Sequence, residues 1–248
     1  MGFSLRFLTS KAGKLLIDRV DRPRGLNEAI IFEKKLIYIA VPKTGSSSIR
    51  RQLKKEGPYL MPYPHLDVLQ IRELIYTWLL YNNLGQNKEF PTADVKDDLE
   101  LRAEAQRLFN DFFKFTIVRN PWARAVSLYF RKGGSPCTEN PSFEEFCDRH
   151  IYASDTCLFP TRHKNQIDWV TDADGKIMVD YIGKVEELDE SINEIASLTN
   201  NSIKLKNVNL NVNERSRSKN YKDMYNQKTK NLIAKHFEKD IDLFKYTF

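Results

Sequence analysis

The sequence predicts an α/β fold with a central parallel sheet flanked by helices, and three stretches predict it. Residues 36–41 form a continuous apolar run rich in β-branched and aromatic side chains, as expected of a strand buried on both faces of a parallel sheet. Residues 114–118 and 179–185 are two further strand candidates. Each strand leads into a helical pattern, and strand–helix alternation is how parallel crossover units are written in sequence. A chain of 248 residues can bury a sizeable core as one domain with insertions. Neither an internal repeat nor a second domain boundary is visible, so the expectation is a single domain over 1–248, with residues 1–28, basic and weakly patterned, as a peripheral N-terminal segment.

The first strand carries the most informative loop. Pro42 ends the apolar run, because proline donates nothing to a ladder. Lys43, Thr44, Gly45, Ser46, Ser47 and Ser48 follow, and a helical pattern starts at Ile49. Strand, small-residue loop and helix start aim several backbone N–H groups and the positive end of a helix dipole at one point. The hydroxyls and the Lys43 ammonium add donors and a full charge, so the natural guest is a phosphate. The common phosphate loop, Gly-x-x-x-x-Gly-Lys-Ser/Thr, does not match, since here the lysine precedes the glycine.

The second strand ends on Arg119. Asn120 is a good N-cap, Pro121 a good first helical residue, and Trp122, Ala125, Val126 and Tyr129 take apolar helical positions. Arg119 and Ser127 bridge the strand end and the second turn of that helix, a spacing at which a guanidinium and a hydroxyl can hold a second phosphate. His65 precedes an amphipathic segment with Leu66, Leu69, Ile71, Leu74 and Leu79 on helical spacing, and a histidine there, near a phosphate loop, is placed to act as a base. Asp67 and Glu73 are weaker candidates for that part.

The Pro-Lys-Thr-Gly-Ser-Ser-Ser-Ile run at 42–49 resembles the 5′-phosphosulfate loop of sulfotransferases that use 3′-phosphoadenosine-5′-phosphosulfate (PAPS). Its Lys-Thr-Gly-Ser-Ser-Ser form is similar to the carbohydrate sulfotransferase branch, including heparan 2-O-sulfotransferase and chondroitin sulfotransferases, in its bacterial type. The segment 112–129 resembles the 3′-phosphate motif of the same family, and the Tyr-Ile-Gly-Lys-Val-Glu run at 181–186 and the tail 240–248 resemble it further. The resemblance covers about 31–248 and implies a P-loop-like three-layer fold and a PAPS donor. It implies Lys43 and His65 as the catalytic pair, with His65 also at the acceptor. Donor contacts would come from Lys43, Thr44, Gly45, Ser46, Ser47, Ser48, Arg119, Ser127 and Lys184. The basic loop within 204–222, six cations against Glu214 alone, stands where the family closes a flap on PAPS, so Arg215, Ser216 and Arg217 are expected on its phosphates. His163 and Gln166 resemble a His-x-x-Gln segment near the acceptor, implying substrate binding.

The remaining chain reads as follows. Residues 84–98 and 133–163 are expected to shape the acceptor side, with 133–140 a turn-rich loop, and 99–109 is a helix. Ser142 with Glu145 makes a capping box. Residues 186–200 form an acidic amphipathic helix, and Asn226 caps a final helix to about Ile241.

Lys and Arg total 39 against 33 acids, a net charge of +6 and a pI near 9.0, which suits an anionic donor and a glycan or glycolipid acceptor. No nucleic-acid-binding pattern is present. No apolar run approaches the roughly 20 residues of a membrane span, the N-terminus lacks a signal-peptide core, and Arg6 stands where a myristoylation motif wants Ser or Thr. Cys137, Cys147 and Cys157 are expected as thiols in a reducing compartment, with one disulfide among them left open. The expected location is therefore cytoplasmic, the alternative being a Golgi-lumenal form without its anchor. No cluster has metal spacing, so no metal is expected. Two other functions fit the loop: a nucleotide kinase with a variant phosphate loop, and a non-catalytic nucleotide- or anion-binding module.

Overall fold

The computed structural model describes residues 26–53, 59–86, 97–130, 141–149, 164–206 and 220–248. The apolar run forms β2 (Leu36–Ile39), buried along its whole length. Successive side chains of a strand point to opposite faces, and both faces here are covered. Ile37, Ile39 and Val41 enter one core with α2 (Val68–Gln86) and α3 (Asp98–Asp111). Leu36, Tyr38 and Ala40 enter the other with α1 (Ser46–Leu53) and α6 (Leu188–Leu198). This is the helix–sheet–helix layering that a run without polar residues requires.

β3 (Phe113–Val118) lies parallel to β2, and β4 (Tyr181–Lys184) parallel to β3. β1 (Ile30–Ile31) completes the sheet in the order β1-β2-β3-β4, and it is antiparallel. The reason is length: only a 3₁₀ turn, Phe32–Lys34, and a left-handed Lys35 separate β1 from β2, far short of a parallel crossover. Beyond β3, α4 (Pro121–Tyr129) packs with α5 (Phe143–Asp148) and α7 (Gln227–His236) in a third cluster around Trp122, Phe146, Ile233 and Phe237.

Local signals set most boundaries. The Ser142–Glu145 capping box opens α5, and Asn226 with Thr229 opens α7 in the same way. Other details differ from expectation. Burial begins before 29: Leu26, Asn27 and Glu28 are all buried, with Glu28 ion-paired to Arg50 on α1. The loop expected from 84 begins later, since α2 runs to Gln86. The final helix is two, with Phe237 between α7 and α8 (Glu238–Phe244), where a buried ring is fixed by the core and not by a helical phase. Cys147 is a buried, free thiol, its pKa pushed up to about 12 by desolvation; Cys137 and Cys157 lie outside the described residues.

Gly183 in β4 gives one stability prediction. A Cβ there would sit 2.7 Å from Ile117 Cδ1 and from Ser191 Cβ and Oγ. Gly183→Ala is therefore expected to destabilise the fold by about 1–3 kcal/mol through overpacking, read as a lower urea midpoint. An unchanged midpoint would mean that β4 and α6 separate more easily than this packing implies.

Candidate active site

The loop after β2 is built by two left-handed residues around a buried threonine. Lys43 has φ 69° and Gly45 φ 72°. Glycine takes that conformation without steric cost, whereas a lysine there stores about 1 kcal/mol or more. The Thr44 hydroxyl donates to Val41 O at 2.9 Å, closing the base of the loop. The chain then turns directly into α1, whose first turn is Ser46, Ser47 and Ser48 and carries no acidic residue. Ser46 and Ser48 are buried, Ser47 half-buried. The Ser48 N–H is already taken by Gly45 O at 3.1 Å, and the positive end of the α1 dipole follows directly on the turn at Lys43–Gly45.

The second motif meets this loop. Asn120 accepts from Trp122 N and Ala123 N and starts α4, with Pro121 as its first residue. Arg119, at the junction of β3 and α4, donates from Nη1 to Lys43 O at 3.3 Å, so its guanidinium lies against the loop after β2. Burial lowers the Arg119 pKa, while Glu186, Tyr246 and Tyr221 act in the opposite sense. Among the described residues no carboxylate lies within ion-pair distance of this guanidinium. A desolvated cation that no described carboxylate pairs with is costly to bury, and an anion beside it would relieve that cost.

Lys184 is brought alongside: it ends β4 in register with Val118, one residue before Arg119. Its ammonium lies 5.3 Å from the centre of the Tyr246 ring, and the Tyr246 hydroxyl donates to Glu186. Ser127 is half-buried on α4. His65 is anchored to the same strand as the loop, with Nδ1 2.7 Å from Ala40 O. A carbonyl only accepts, so Nδ1 carries the proton, which in a neutral ring leaves the lone pair on Nε2.

A family model, the sulfotransferase family, matches residues 29–247. The chain belongs to the sulfotransferase family. No curated protein and no solved structure matches it significantly. The enzyme is thus a transferase of sulfuryl groups on an α/β fold, and among its described residues no helix is long and apolar enough to cross a membrane. No group of His, Cys, Asp and Glu able to hold a metal occurs among them either.

Three structural residues of this sulfotransferase went unread in the sequence. Arg124 on α4 is fully buried; it donates from Nε to Pro42 O and from Nη1 to Lys164 O, each at 3.1 Å, and lies over the Phe237 ring. Burial lowers its pKa to about 10, so it stays charged at neutral pH, and Asp240 supports that charge. Asp240 on α8 accepts from the backbone N–H groups of Gln166 and Ile167. Glu186 accepts from Asn120 N and so helps fix the junction that carries Arg119. The one signal for Arg124 was a charge inside the otherwise apolar helix face around 122–126. Gln166, expected at the acceptor, is fully buried with both ends of its amide on the Arg119 peptide. It does not reach the surface. His163, Arg215, Ser216 and Arg217 lie outside the described residues.

Proposed function

We propose that this sulfotransferase moves a sulfuryl group from PAPS to a hydroxyl of a carbohydrate or glycolipid acceptor, in line and without a metal. The observation that carries this reading is the contact between Arg119 and Lys43 O, which brings the arginine after β3 against the loop after β2. Two phosphates one ribose apart, as in a 3′,5′-bisphosphorylated adenosine, are the ligand chemistry that calls for both. Arg119 with Ser127 would select the 3′-phosphate and so reject ATP, with Lys184 beside them.

The acceptor oxygen attacks sulfur while the bond from sulfur to the bridging 5′-phosphate oxygen breaks, leaving adenosine 3′,5′-bisphosphate. Catalysis of such a transfer is mostly positioning and charge stabilisation. Lys43 would neutralise the charge that develops on the bridging oxygen, and the loop N–H groups with the hydroxyls of Thr44, Ser46, Ser47 and Ser48 would hold the 5′-phosphate. His65, with its lone pair on Nε2, would take the acceptor proton. The same reading takes 29–247 as one catalytic unit.

His65→Ala is expected to lower turnover by about 10²–10⁴, the usual worth of a general base, while donor affinity stays within about twofold. Turnover at the wild-type rate would move the base elsewhere, with His163 next. The reading as a whole is tested by incubating the protein with sulfur-labelled PAPS and a panel of neutral and acidic oligosaccharides and glycolipids. Label transferred to one acceptor class, without added metal, supports it. Tight nucleotide binding with no transfer to any acceptor favours a binding module, and dependence on ATP and magnesium favours a kinase.

A further inference from the structure

Arg119 sits just past the last paired residue of β3. The ladder to β2 reaches Thr116 and the ladder to β4 reaches Val118, so no strand satisfies the Arg119 peptide groups. Gln166 takes that place. Its Oε1 accepts from Arg119 N at 2.9 Å and its Nε2 donates to Arg119 O at 2.8 Å. One carboxamide thus does for a single residue what a neighbouring strand does for a run, and it fixes the direction in which the arginine leaves the backbone. Gln166 is itself fixed: its own N–H and that of Ile167 donate to the Asp240 carboxylate at 2.8 and 2.9 Å. Arg124, the charged neighbour of Asp240, holds Pro42 O, at the mouth of the phosphate loop.

We propose that Gln166 is a positioning residue for the donor's 3′-phosphate, acting through the Arg119 peptide, and that Asp240 and Arg124 tie its position to that of the phosphate loop. The proposal rests on the reading of Arg119 given above and adds that this guanidinium is aimed from behind by a buried amide 47 residues away in the chain. A one-ångström error in aiming is enough to lose much of a charge-assisted, two-pronged contact.

The test compares adenosine 3′,5′-bisphosphate with AMP, which lacks the 3′-phosphate, by calorimetry on the full chain. Gln166→Met, close in volume but unable to hydrogen-bond, is expected to weaken the bisphosphate about tenfold and to leave AMP unchanged. In kinetics KM for the donor rises, and KM for the acceptor does not. Gln166→Glu adds a signature that a merely structural role lacks. Only the protonated acid can accept from Arg119 N and donate to Arg119 O together, so its bisphosphate affinity, relative to wild type, recovers as pH falls through the carboxyl pKa. The charged groups around that position, Arg119, Arg124, Lys164, Asp168 and Asp240, are the same in both proteins and cancel in the ratio. Equal loss of both nucleotides in Gln166→Met, or no loss, overturns the proposal. If Gln166→Met does not fold, a Gln166→Glu ratio that is flat with pH overturns it as well. Failure of the wild-type protein to prefer the bisphosphate over AMP is a separate result, which removes the 3′-phosphate reading of Arg119 and this proposal with it.

Discussion

Lys43→Ala is expected to reduce sulfuryl transfer on the order of 10³-fold at saturating donor, about 4 kcal/mol of transition-state stabilisation. The bridging oxygen of the donor gains charge only as its bond to sulfur breaks, so an ammonium aimed there acts on the transition state more than on the bound ground state. Donor affinity should therefore fall far less than turnover. The loop itself should survive, because its shape rests on the Thr44 contact with Val41 O and on the left-handed turns, which an alanine keeps. Single-turnover rates, with the melting temperature as a control for folding, make the measurement. A rate within tenfold of wild type, in a folded variant, would remove Lys43 from the chemistry.

Arg119→Ala is expected to act on binding. Loss of a partly buried guanidinium from a phosphate weakens adenosine 3′,5′-bisphosphate about 100-fold, near 2.7 kcal/mol, and leaves AMP almost unaffected. Arg119→Lys recovers only part of this, since an ammonium lacks the planar fork. The ligand-free protein should lose little stability. Among the described residues, the side-chain hydrogen bond given up, to Lys43 O, is offset by removal of a cation that burial disfavours and that no carboxylate there pairs with. A variant that binds the bisphosphate as wild type does would refute the assigned role, whatever its turnover.

The two loop-to-helix elements expected to bind phosphate were legible as structure because their signals are local. An apolar run stopped by Pro42, a glycine and serines before Ile49, and Asn120-Pro121 after Val118 each specify a turn or a helix start within a few residues. Their meeting at Lys43 O follows from the parallel pairing of β2 with β3 and not from any one motif. What stayed hidden is long-range. Gln166 stood out in a short motif, but nothing nearby says that its amide will close on a peptide group at the end of another strand. Nothing local marks Arg124 as buried: an arginine in a helix is ordinarily solvated, whereas here backbone carbonyls of Pro42 and Lys164 receive it. The break at Phe237 has no proline or glycine to announce it, and it falls on a fully buried ring.

One ligand is expected to fill two anion pockets at once, and calorimetry of the wild-type protein in metal-free buffer measures that most directly. Adenosine 3′,5′-bisphosphate is expected to bind about 100-fold more tightly than AMP and more tightly than ADP, with no change on adding magnesium. Equal affinity for the three nucleotides, or a preference for ADP that appears with magnesium, would contradict it.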